Sequence, residues 1–294
     1  MSDYIIATAS TADLPRTWLD EHHIPFIPYT YIVNGETVVE DDCREESRTA
    51  VYAGMRKGDR LKTSMITQFQ YEEFFAGLLE TGKDVLFCDM SEKMSTSYAN
   101  SLTAADAVRV RFPGQRLVVM DTRCISGGLG IFVKRMVEKM EAGMSLDEVI
   151  AWGEAHKLKV AHRFTVDDLK YLKAGGRVSN AAALVGTLLS IKPVLYVPDA
   201  GTLDVLKKAR GRKAALNTIL EGVNGDLDLM DTPCDEINIL HADCQADAEF
   251  VRQGILAKHP EVKKITITYL GMVIGAHTGP GLLAVFYFCN GRRA

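Results

Sequence analysis

The chain has 294 residues, 47% of them hydrophobic and 24% charged, which suits two domains, or one large α/β unit, with an ample core. Its formal net charge of −4 supplies no excess positive charge to neutralise phosphates and so argues against a general nucleic-acid binder. No apolar run approaches bilayer length and the start lacks a basic stretch before an apolar core, so a cytoplasmic protein is expected.

Taken in chain order, residues 5–8 read as a strand, followed by a helix beginning around Pro15. Residues 27–33 read as one strand leading into an Asn34-Gly35 turn. Residues 85–88 and 117–120 are continuous apolar runs, each followed by a polar loop and a long helix. Such unalternating strands suit a parallel sheet covered on both faces, where ligands bind at the carboxyl ends of the strands. Hydroxyls gather in the polar loops: Thr63-Ser64 after Lys62; Ser91, Ser95, Thr96 and Ser97 after Asp89; Thr122 and Ser126 after Asp121. Each alone is an ordinary helix cap after a strand. Lys62-Thr63 lacks the glycines of a phosphate loop, and Gly127-Gly128-x-Gly130 is no dinucleotide fingerprint.

The second half changes character near residue 160. Thr165 to Asp168 should open a helix in the manner of a capping box, with Leu169 and Leu172 on its apolar face and Gly175-Gly176 ending it. Ser179 should cap an apolar helix over residues 181–189, buried nearly all round or lining an apolar cavity. Pro198 to Gly201 reads as a hairpin, followed by a basic stretch of Lys207, Lys208, Arg210, Arg212 and Lys213. Residues 237–240, 265–270 and 283–288 supply further strands. Between the last two, Gly275-Ala276-His277-Thr278-Gly279-Pro280-Gly281 predicts an imidazole fixed on a rigid turn. A satisfied loop histidine is the plainer alternative. Six cysteines (Cys43, Cys88, Cys124, Cys234, Cys244 and Cys289) show no CxxC spacing, so they read as reduced, mostly buried thiols with neither zinc nor disulfides.

The run from Leu169 through Gly175-Gly176-Arg177 to Ser179, continuing to Ile191-Lys192-Pro193, resembles the central motif of DegV-family proteins. Ser10, Asp13-Leu14-Pro15, Thr63-Ser64, the Ser95 loop, Asp121 and His-Thr-Gly-Pro-Gly follow the family's order across essentially the whole chain. The resemblance implies a fatty-acid-binding subunit that presents its lipid to a separate, dihydroxyacetone-kinase-like fatty acid kinase, which phosphorylates the carboxylate. It implies no cofactor and no catalysis by this chain, and it leaves room for transient membrane contact. The implied fold is two α/β domains, residues 1–160 with a mostly parallel sheet and residues 161–294 with a mixed sheet, enclosing the lipid between them. Carried over residue by residue, Thr63, Ser95 and His277 match the groups that bind the carboxylate, and Arg177 matches the arginine associated with the head group and its phosphate. Arg210 and Arg212 are the implied docking residues for the kinase. The chain departs from the family pattern at Ala9, at Met65-Ile66 and at Thr96, all near the head-group loops.

The chemistry agrees with that implication. Hydroxyls and an imidazole can meet a carboxylate without a full buried ion pair, while an apolar tail supplies the affinity. An alternative from another class is a lipid-ester hydrolase with Ser95 as nucleophile, His277 as base and Asp121 as orienting acid, although no GxSxG elbow is present. A sensor with no ligand chemistry is a third reading.

Overall fold

The computed structural model describes residues 3–40, 45–177 and 191–293. It divides the chain into two units, Met1–Arg44 with Lys62–Lys157, and Glu45–Leu61 with Leu158–Ala294. The helix expected over residues 181–189, its Ser179 cap and Cys43 lie outside the described residues.

In the first unit the apolar runs become β1 (Tyr4–Ala9), β6 (Asp84–Asp89) and β7 (Leu117–Asp121). Together with β2 (Phe26–Ile27) they form a parallel sheet of order β2-β1-β6-β7. The sequence run 27–33 is not one strand. It splits at Pro28-Tyr29 into β2 and β3 (Thr30–Val33), and β3 pairs antiparallel with β4 (Glu36–Val39). Proline at the break cannot donate to a ladder, and the Tyr29 N–H is instead taken by the Ser10 hydroxyl. Asn34 and Gly35 make the hairpin turn with φ of 52° and 88°, as a two-residue connection demands. β5 (Leu61–Ser64) joins β3 to complete a small sheet of order β4-β3-β5.

Helices α1 (Arg16–Glu21), α3 (Gln68–Leu79), α4 (Ser97–Arg111), α5 (Gly127–Glu141) and α6 (Leu146–His156) complete the unit. Capping boxes at Thr67/Gln70 and Ser145/Glu148 start α3 and α6 by satisfying orphan N–H groups reciprocally. Tyr71, Phe75 and Phe87 form one buried aromatic cluster between α3 and the sheet.

The second unit is built on a mixed six-stranded sheet of order β10-β9-β8-β13-β11-β12. Its strands are β8 (Val160–Thr165), β9 (Ile191–Tyr196), β10 (Asp204–Arg210), β11 (Glu236–His241), β12 (Lys264–Tyr269) and β13 (Leu283–Phe288). β11 and β12 pair in parallel and the other neighbours antiparallel. Helices α8 (Arg212–Leu227) and α9 (Gln245–Lys258) bury Ile219, Val223, Val251 and Ile255 against Ile237, Ile239 and Val285. α2 (Glu45–Lys57) also belongs here, its Tyr52 hydroxyl donating to the Leu270 carbonyl at 3.2 Å. Arg163, Asp226 and Tyr287 form a buried polar triad between the sheet and α8, and Gly222 makes room for the guanidinium.

Two local expectations are corrected. Thr165 is the last residue of β8, donating its hydroxyl to the Pro193 carbonyl, so it caps nothing. α7 (Lys170–Gly175) starts one turn later, where Asp168 accepts from the Lys170 N–H, and it ends as expected at Gly176 in the left-handed region. His277 is not on an irregular turn but in the last turn of α10 (Met272–Thr278). The Gly275 N–H donates to Gly271 and the Gly279 N–H to Gly275, so these glycines are part of the helix and its end. Gly275 is there because a β-carbon would overlap the Tyr52 hydroxyl, not because the chain must turn.

Candidate functional site

In the first unit, the loop between β6 and α4 carries a connected set of hydroxyls. Ser95 Oγ and Ser97 Oγ lie 3.0 Å apart, Ser95 Oγ accepts from the Ser97 N–H, and Ser97 Oγ accepts from the Ile66 N–H. Ser97 is fully buried and Ser95 half-buried, so the outer hydroxyl of the pair is the accessible one. The bond to Ile66 ties the Ser95 loop to the segment that follows Thr63, which is itself half-buried near the end of β5. Thr96 and Asn100 reach the Met65 sulfur, so the residues departing from the family pattern at 65 and 96 touch one another.

Behind these hydroxyls lies Asp89, the last residue of β6 and wholly buried. It accepts from the Met90 N–H at 2.8 Å and from the Tyr71 hydroxyl at 3.4 Å. Burial, with Asp121 adding a like charge in register on β7, pushes its carboxyl up to about 7. Asp121 accepts from the Arg123 and Glu92 N–H groups and pairs with the Arg123 guanidinium at 2.7 Å. Its carboxylate thus organises the loop after β7. The Ser126 hydroxyl donates to Asp13 at 2.5 Å, and Gly130 packs on the carbonyl of Ala12, so the glycine-rich start of α5 serves the turn at residues 10–12.

In the second unit, α7 and α10 pack together through glycines. Gly175 lies against the His277 imidazole, Gly279 against the Tyr171 ring and Gly281 against Asp167; a β-carbon at any of the three would overlap its neighbour. The Arg177 guanidinium folds back to the Gly175 carbonyl. Burial, and then the nearby Arg177 charge, pull the half-buried His277 down to about 4. The imidazole is therefore neutral at neutral pH: it can donate through one nitrogen but is a poor proton acceptor. Arg212 sits in an internal cluster, 2.8 Å from Asp247 and 3.6 Å from Asp167, which Lys192 also contacts at 3.1 Å. Arg210, Lys207 and Lys208 are exposed on β10.

Sequence reasoning named the hydroxyl loops but missed the residues behind them. Tyr71 and Asp89 share a hydrogen bond there, and the legible signal was an aspartate closing an apolar strand. Among the described residues, no group of His, Cys, Asp or Glu could hold a metal ion, and no helix is long and apolar enough to cross a membrane.

The DegV family model, described as one of uncharacterised proteins, matches residues 4–290. A DegV domain-containing protein of Clostridium perfringens is 36% identical over 287 residues, covering 98% of both chains. Among solved structures, a DegV family protein from Thermus thermophilus described for its fatty acid binding superposes with a TM-score of 0.86 at 29% identity, over 98% of this chain and 100% of that one. DegV from Bacillus subtilis, described as a fatty acid binding protein, gives 0.84 at 26% identity, over 99% and 100% of the two chains.

Proposed function

Because the chain belongs to the DegV family, we propose that it binds a long-chain fatty acid and presents the carboxylate to a separate fatty acid kinase for conversion to an acyl phosphate. The observation that carries the lipid reading is the whole-length likeness to the fatty-acid-binding protein of Thermus thermophilus. Thr63, Ser95 and neutral His277 are the proposed donors to the carboxylate. Arg177 attends the head group and its phosphorylated form. The tail dominates affinity: at about 0.8 kcal/mol per buried methylene, a tail of ~14 methylenes gains on the order of 11 kcal/mol before ordering costs. A hydrogen bond adds only about 1 kcal/mol, so the polar groups orient more than they bind.

Kinase docking falls chiefly to exposed Arg210 beside Lys207 and Lys208, because Arg212 is committed to Asp247 and Asp167. The ester-hydrolase alternative has no support in the comparisons, and an imidazole held near 4 is ill suited to deprotonate Ser95. The reading is tested by denaturing extraction and mass spectrometry of the protein purified from a bacterial host. One long-chain fatty acid per chain is expected; no lipid, together with no binding of added fatty acid, would sink it. Arg210→Glu should then lower acyl-phosphate formation at low salt while leaving fatty-acid binding unchanged.

A further inference from the structure

In the second unit α8 carries two glycines three residues apart, Gly222 and Gly225, and both line a cleft of about 430 Å³ between this helix and β10. A glycine inside a helix is destabilising relative to alanine, so each calls for a cause. Gly222 has one in packing, because a β-carbon there would overlap Nη1, Cζ and Nε of Arg163. Gly225 has none: a β-carbon there would meet nothing within 4 Å, and its φ is not left-handed. The effect of its missing side chain is to keep the cleft open.

The floor of the cleft holds the Arg163–Asp226 pair, each side chain only 6% exposed. Arg163 commits Nε and Nη2 to Asp226 and Tyr287, while Nη1 has no hydrogen-bond partner among the described residues. A buried guanidinium nitrogen is thus left with donors to spare, beside the glycine that exposes it. At the rim stand Lys207, Arg293 and Glu221, none of them ion-paired among the described residues. The walls are apolar. β10 shifts register between Val205 and Lys207, and the bulged residue, Leu206, lines the cleft together with Leu229, which is left 52% exposed.

We propose that this cleft is a second binding site, separate from the residues proposed to hold the fatty-acid head group, and that it takes a small carboxylate on a short apolar stem. One carboxylate oxygen accepts from Arg163 Nη1 at the floor, Lys207 and Arg293 offset its charge from the rim, and the stem lies against Leu206 and Leu229. Charge selects the class. Arg163, Lys207 and Arg293 face Asp226 and Glu221, an excess of one formal positive charge, which suits a monoanion. A phosphate dianion would meet two carboxylates with too little to balance them, and an uncharged alcohol would leave the rim cations unused.

The test is amide NMR of the isotope-labelled protein as purified, titrated with hexanoate and, in parallel, with hexanol and hexyl phosphate. Hexanoate should shift the Gly222 and Gly225 amides saturably, and the other two probes should bind more weakly. Gly225→Leu places an apolar side chain in the open space and improves helix propensity, so it should fold at least as stably as the parent yet bind hexanoate more weakly by about tenfold or more. Gly225→Ala should bind nearly as the parent does. Lys207→Met, at the exposed rim, should weaken hexanoate by about three- to tenfold and leave hexanol unchanged. Hexanoate shifts that never saturate, or that gather instead at Thr63, Ser95 and His277, would overturn the site. So would hexanol binding as tightly as hexanoate, or hexanoate binding unchanged in Gly225→Leu or in Lys207→Met.

Discussion

The His277 imidazole and the Gly175 backbone touch so closely that a β-carbon on Gly175 would overlap Nδ1. The first glycine of the Gly-Gly-Arg motif is thus a seat for the histidine, and the two motifs recognised separately in the sequence are halves of one packing contact between α7 and α10. The second glycine has a different task. Gly176 stands at φ 66° with open space around it, ending α7 in the left-handed region.

The two glycines should therefore fail differently when replaced. Gly176→Ala should cost about 1 kcal/mol, the penalty of a left-handed backbone alone. Gly175→Ala must displace the imidazole and should cost on the order of 1–3 kcal/mol. It should also weaken fatty-acid binding, which Gly176→Ala should leave nearly unchanged. Urea unfolding beside ligand titration reads both; equal effects on binding would mean the imidazole seat is unimportant.

The Arg163–Asp226–Tyr287 triad gives a second prediction. Asp226 Oδ2 accepts from Arg163 Nη2 at 2.9 Å and from the Tyr287 hydroxyl at 2.6 Å, with all three residues buried. Removing the anion leaves an uncompensated guanidinium in the core, so Asp226→Ala should destabilise by about 3–5 kcal/mol. Tyr287→Phe, which removes one hydrogen bond and leaves the ion pair, should cost about 1–2 kcal/mol. Denaturant midpoints for the two variants check the order.

Much of this was legible because burial on both faces writes itself into composition. β6 and β7 were readable as parallel strands from their unbroken apolar runs, and β13, antiparallel to both its neighbours, was readable as a strand. The errors came from residues whose cause is tertiary. The glycines around His277 look like a turn in one dimension; Gly275 and Gly279 are instead places where Tyr52 and Tyr171 press on the backbone of a short helix. Tyr71 was hidden for the converse reason: nothing in the sequence around it marks a hydroxyl that only folding brings to Asp89. Thr165 had the right spacing for a cap, but β8 continues through it and pairs it with Val194 and Leu283.

A third prediction concerns stability at rising pH. Asp89 holds its proton up to about 7 in the folded chain, against 3.8 for the free side chain. Between those values the folded state binds more protons than the unfolded one, so stability falls as pH rises from about 4 to about 7. The loss amounts to no more than a few kcal/mol. Asp89→Asn keeps an acceptor for the Met90 N–H and cannot ionise, so it should flatten this decline and be more stable than the parent at pH 8. Thermal melts across pH 5–8 decide it, and an unchanged slope would mean that Asp89 ionises normally.

His277 produces the opposite slope. Its folded value lies near 4, against 6.5 when free, so the unfolded chain binds the extra proton between those limits. Stability should therefore rise with pH from about 4 to about 6.5, and be lost as pH falls back through that window, by up to about 3 kcal/mol. In the parent this gain masks part of the Asp89 loss, which makes the Asp89→Asn background the place to see it. There, melts from pH 4.5 to 7 should climb, and adding His277→Gln should remove the climb while preserving an N–H donor for the head group. Fatty-acid binding at pH 7 should then fall by no more than about 1 kcal/mol, because the neutral imidazole contributes one hydrogen bond and no charge. A loss several times larger, growing as salt is lowered, would show that the imidazole is charged in the bound state and pairs directly with the carboxylate.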